Sequence, residues 1–150
     1  MTELYFGDLL TKPYLRGARG ENGYYDCYGL LMELYRRMGV EAPNYKTPET
    51  PRQMASSAAV WKQSWEPVLS KAGYPTIKSC DPTDSNTYAL VPYSTLLLRV
   101  AGEDCHTAML LPKMQFIHTW QGSGMVVVDR LLSPVWRNKV VGVYQPCSTT

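Results

Sequence analysis

The chain has 150 residues, a formal charge of +2, 45% hydrophobic residues and 19% charged residues, enough apolar material for one folded domain over residues 1–150. Its Lys and Arg residues are scattered rather than striped, so the charge gives no footprint for nucleic acid. No window approaches the roughly 18 consecutive apolar residues that a membrane span needs. Met1 to Gly20 carries Glu3 and Asp8 and lacks the basic start and apolar run of a signal peptide. The four cysteines, Cys27, Cys80, Cys105 and Cys147, form no CxxC pair; in a chain made without a signal peptide they are expected to be thiols. Eleven tyrosines stand against two phenylalanines, which predicts half-buried rings whose hydroxyls find partners.

The first predicted helix starts at Cys27. Leu30, Leu31, Leu34, Tyr35 and Met38 recur at helical spacing, Asp26 is the expected N-cap, and Gly39 stands where a C-terminal glycine ends a helix. A linker from Ala42 to Thr50 leads to a second predicted helix. Thr50 caps it, Pro51 starts it, Gln53 completes a capping box, and Met54, Ala58, Trp61, Trp65 and Leu69 form its stripe, with a break at Pro67 and an end at Gly73. Ser79 to Asn86 reads as a surface loop. Five strands are then expected, at Ser94 to Ala101, Cys105 to Leu111, Met114 to Trp120, Gly124 to Asp129 and Lys139 to Gln145. Helices followed by an antiparallel meander predict an α+β domain with helices on one face of a sheet.

Chemistry concentrates at three residues. Cys27 occupies the first turn of a helix, where backbone N–H groups and the macrodipole favour a thiolate; the alternative is a small buried apolar side chain. The two histidines, His106 and His118, fall on consecutive predicted strands. A short connection centred on Pro112 sets them directly opposite each other, so that one imidazole can orient the other as a triad requires. Taken alone, each is more commonly a satisfied, partly buried sheet residue. A zinc site from Cys105, His106 and His118 is disfavoured because consecutive strand residues point to opposite faces.

The segments Lys12-Pro13-Tyr14-Leu15-Arg16-Gly17 and Tyr25-Asp26-Cys27-Tyr28-Gly29-Leu30 resemble the opening motif of the NlpC/p60 cysteine peptidases, a papain-like family acting on bacterial cell walls. His106-Thr107-Ala108-Met109-Leu110 stands where that family has its catalytic histidine, and Phe116-Ile117-His118 where the third polar member lies. The closing stretch from Val128 to Pro146, and Tyr35 to Pro43 after the nucleophile, are similar to the branch carried by phage tails. The chain departs from the family pattern at Thr107, where a small apolar residue is usual, at Gln145, where the tail branch often has Arg, and before the histidine, where Tyr93-Ser94-Thr95-Leu96 replaces a Gly-Asp opening.

The resemblance implies a papain-like NlpC-type fold, N-terminal helices on a five- to six-stranded antiparallel sheet. It implies Cys27 as nucleophile, His106 as base and His118 as its orienting partner, with Cys27 Sγ close to a ring nitrogen of His106. The backbone N–H of Cys27 and the Tyr14 side chain are the implied oxyanion donors, although Tyr14 could instead be a turn aromatic beside Pro13. The implied substrate is the D-glutamyl–diamino acid bond of a peptidoglycan stem peptide, with no metal or organic cofactor. Arg16 and Arg19 could meet stem carboxylates or remain solvated loop charges. The implied setting is a phage tail protein made in the bacterial cytoplasm, acting in the host wall or periplasm beside other tail proteins. Two other readings stay open, a non-catalytic structural or assembly protein of the tail and a related papain-like amidase or effector toxin.

Overall fold

A computed structural model of the protein describes residues 4–42 and 64–147, without the side chains of 103–105. Most of the second expected helix, the linker before it and the Cys105 thiol therefore lie outside the described residues. No described helix is long and apolar enough to cross a membrane.

The described helix, α1 (Cys27–Arg37), forms where the spacing predicts. Leu30, Leu31, Leu34 and Tyr35 are buried, each leucine contributing about 2 kcal/mol by leaving water. Asp26 caps its start by accepting from the Gly29 N–H at 2.6 Å. At its end Gly39 takes a left-handed φ of 76°, while the Gly39 N–H donates to the Arg36 carbonyl and the Val40 N–H to that of Tyr35. These two bonds satisfy carbonyls that the helix itself leaves open.

Eight strands follow: β1 (Trp65–Pro67), β2 (Thr76–Lys78), β3 (Thr87–Ala89), β4 (Thr95–Val100), β5 (Glu103–Leu111), β6 (Gln115–His118), β7 (Val127–Arg130) and β8 (Val140–Pro146). Six make one sheet in the order β1-β8-β4-β5-β6-β7, with every neighbouring pair antiparallel. β2 and β3 pair separately. β4 lies inside the large sheet, and its consecutive Leu96, Leu97 and Leu98 are all buried, as a strand covered on both faces requires. The Tyr35 hydroxyl on α1 bonds Thr95 Oγ1 at 2.8 Å. On the small sheet Tyr88 meets Tyr144 of β8, ring centroids 5.9 Å apart, and donates to Asp84. Tyr35 and Tyr88 thus join layers through partnered hydroxyls.

The five expected strands are β4 to β8, and Ser79 to Asn86 is a loop as predicted. The second helix does not run on through Trp65 and Leu69. Trp65 to Pro67 is a strand on the edge of the sheet, Trp65 paired with Pro146 and Pro67 with Tyr144. Burial explains the difference: the Trp65 ring packs 5.7 Å from Tyr35, and Pro67, which has no N–H to give, is tolerated on an edge strand. β2 and β3 were not expected, being three residues each and too short for an alternating pattern to register.

Gly29 has a specific duty. The Ala18 carbonyl accepts the Asp26 N–H at 3.1 Å, and a Cβ on Gly29 would fall within van der Waals contact of that carbonyl oxygen. Gly29→Ala therefore has to push backbone away from the start of α1, and is expected to cost about 2 kcal/mol. Thermal unfolding should show this as a Tm lower by about 4–8 °C; an unchanged Tm would mean that the contact is absent.

Candidate active site

Cys27 is the first residue of α1, and the helix packs on β5. The start of that helix is held by Asp26, which is fully buried. Its carboxylate accepts from the Gly29 N–H, from the Gly17 N–H at 2.9 Å and from the Arg19 guanidinium at 2.7 Å. Arg19 also lies over the Tyr28 ring, 5.6 Å from its centroid. Arg19 is thereby a structural ion pair behind the nucleophile rather than a solvated loop charge, whereas Arg16 is exposed.

Burial pushes the Cys27 thiol above its ordinary range, and the Asp26 carboxylate adds to that effect. The neighbouring N–H and hydroxyl of Thr107 oppose it, and Arg19 opposes it through space. Thr107 is buried, and its hydroxyl oxygen has no hydrogen-bond partner among the described residues. The departure from the family pattern after His106 thus sits at the nucleophile. The thiol lies beside Thr107, the chain neighbour of His106.

The two histidines bond each other, His106 Nε2 to His118 Nδ1, at 2.8 Å. They do so from a register other than the expected one. The β5–β6 ladder pairs Met109 with Ile117 and Leu111 with Gln115, so one further step brings His118 level with Ala108 and not with His106. The connection is a turn of 3-10 helix, Pro112–Met114, with φ of 65° at Lys113 and 59° at Met114. It centres the hairpin on Lys113 instead of Pro112. A shift of two residues preserves the face of every side chain, so the imidazoles meet diagonally instead of head-on.

A third member of this cluster was not foreseen. His118 Nε2 bonds Asp129 Oδ2 of β7 at 2.7 Å. Here too the contact is diagonal, since His118 is level with Val127 and Asp129 with Phe116. An acid ending the otherwise apolar run Val126-Val127-Val128 was the signal available. Aromatic rings wall the pair in: Trp136 stands 5.9 Å from His106 and 5.1 Å from His118, and Trp120 6.0 Å from His106. In that setting burial holds the His106 imidazole well below its ordinary pKa, and the neighbouring His118 lowers it further. Burial also lowers His118, partly offset by the Asp129 carboxylate. Both rings are therefore neutral at pH 7.

Tyr14 is half-buried, its N–H donating to the Gly124 carbonyl and its backbone bridged to Tyr25, two residues ahead of Cys27. Among the described residues Cys27, Cys80 and Cys147 form no disulfide.

The described residues thus form an α+β arrangement in which a thiol at a helix start packs on a strand that carries a paired histidine. No family model matches the chain, and no curated protein matches it either. Solved structures do. A lipoprotein-like NLP/P60 family protein of Staphylococcus aureus aligns with a TM-score of 0.61 at 15% identity, over 95% of this chain and 39% of its own. NlpC1 of Trichomonas vaginalis gives 0.54 at 17% identity, over 92% and 41%. An NlpC/P60 family protein of Bacillus cereus gives 0.54 at 15% identity, over 93% and 37%. The chain spans about two-fifths of the length of these neighbours. Its fold, one described helix on a six-stranded antiparallel sheet with a small second sheet, is the NlpC/p60 fold.

Proposed function

We propose that the chain is a cysteine endopeptidase of bacterial cell walls. The observation that carries this reading is the placement of Cys27 at the start of α1 against β5, the strand whose His106 bonds His118. In this reading His106 takes the thiol proton on Nδ1, the nitrogen not engaged by His118. The sulfur bonds to the peptide carbonyl carbon, and the protonated imidazole returns its proton to the leaving amine as the C–N bond breaks. Water then hydrolyses the thioester. Proton transfer requires the thiol, which lies beside Thr107, to reach His106 Nδ1. The Cys27 N–H and the Tyr14 hydroxyl serve the developing oxyanion.

The substrate of this reading is a peptidoglycan stem peptide, cut between D-glutamate and the diamino acid. The setting is a phage tail component made in the cytoplasm and acting on the host wall or periplasm, in contact with neighbouring tail proteins. Incubating the protein with purified stem peptide and identifying the new termini by mass spectrometry tests the bond. A free amine on the diamino acid is expected; a released terminus elsewhere would instead indicate an amidase or a different peptidase. Proteomic analysis of purified virions tests the tail setting, which fails if the chain is absent from particles. One observation favours a non-catalytic tail protein instead: the thiol is desolvated and pushed up rather than poised as a thiolate. That reading expects no cleavage of any stem peptide.

A further inference from the structure

Asp129 lies outside the Cys27, His106 and His118 set, yet it is the only member of the hydrogen-bonded chain whose role as donor or acceptor is fixed by its chemistry. A carboxylate has lone pairs and no proton to give. His118 must therefore carry its proton on Nε2, 2.7 Å from Asp129 Oδ2. A neutral imidazole with a proton on Nε2 has a bare Nδ1. That Nδ1 faces His106 Nε2 at 2.8 Å, and two bare nitrogens cannot bond, so His106 carries its own proton on Nε2. One carboxylate thus propagates a single choice through two rings.

We propose that Asp129 is a positioning residue that sets the proton positions on both histidines and leaves Nδ1 as the bare nitrogen of His106. The geometry suits that duty. His118 is fully buried, out of reach of bulk solvent, while the Asp129 side chain keeps 43% of its surface exposed. The cluster spans three adjacent strands, β5, β6 and β7, with both contacts diagonal across the ladders. Its backbone is paired along β6 and β7, so its members are held by the sheet rather than by a loop. The use of a bare Nδ1 to receive a thiol proton rests on the peptidase reading; the proton positions themselves do not.

The test reads proton positions directly. With the full chain labelled with 15N at histidine, long-range proton–nitrogen correlation spectra at pH 7.5 are expected to show both imidazoles protonated on Nε2. In Asp129→Ala the anchor is gone, and a mixture of tautomers is expected at both rings. Asp129→Asn, of nearly the same shape, serves if the alanine variant does not fold. Its amide can accept or donate, so it should give a mixture as well, and Asp129→Glu should restore the single pattern. A wild-type His106 protonated on Nδ1, or a pattern unchanged in both Asp129→Ala and Asp129→Asn, overturns the proposal. On stem peptide the alanine variant should lose about tenfold to a hundredfold in kcat with KM unchanged, as expected of a group one imidazole removed from the base. If the wild type cleaves nothing, the peptidase reading fails while the spectra still decide the role of Asp129.

Discussion

Cys27→Ala is expected to lower stem-peptide cleavage about a thousandfold or more, because no other group can supply the covalent intermediate. His106→Ala should cost nearly as much, and the double variant little more than either alone, since nucleophile and base act as one unit. Residual turnover from oxyanion stabilisation would survive in all three. The substitution at Cys27 removes one sulfur from a partly buried site and leaves the Asp26 cap in place, so Tm should barely move. That separates chemistry from folding. Equal cleavage by wild type and Cys27→Ala would remove Cys27 from the mechanism.

The second large effect is a loss of stability on mild acidification. Both buried imidazoles have folded-state pKa values below the ordinary 6.5. Below pH 6.5 the unfolded chain therefore binds protons that the folded chain refuses, and stability falls as pH falls. Each histidine contributes a slope of up to about 1.4 kcal/mol per pH unit until its folded pKa is reached. The paired carboxylates act in a lower window, since Asp8 and Glu33 have folded values below 3.8 and 4.5 through their bonds to Arg37 and Arg36. Tm recorded from pH 7.5 down to 5 should therefore drop well before those acids titrate. His118→Gln should flatten the curve over that range, and a wild-type Tm constant to pH 5 would contradict neutral, buried rings. Activity should follow the same groups. With the base lowered below 6.5 and the thiol raised above 9.0, kcat/KM is expected to be level from about pH 7 to about pH 9, with its acid limb below 6.5. An acid limb above 6.5 would exclude His106 as the base.

Much of this site was legible along the chain. Asp26, Cys27, the leucine stripe and Gly39 are local signals, each acting within a turn or two of its own backbone, and α1 forms where they place it. The strands from β4 to β8 are likewise local in pattern. The register between β5 and β6 was not, because it depends on left-handed backbone at Lys113 and Met114, neither of which is a glycine. Expecting the hairpin to centre on Pro112 instead of Lys113 put the pairing off by two residues, a shift that by period preserves the face and so preserves the meeting of the histidines. Trp65 fitted a helical stripe, and only the proximity of Tyr35 and β8 decides that it is a strand residue.

The sequence by itself determined which residues could do chemistry, two histidines and a capped cysteine, together with the elements that carry them. Only the tertiary structure decided that Asp129 completes the histidine pair, that Thr107 lies beside the thiol and that Arg19 is tied up beneath it. The reason is physical. Caps and hydrophobic periods act over neighbouring residues, whereas these three contacts join positions whose proximity depends on ladder register and on the docking of α1.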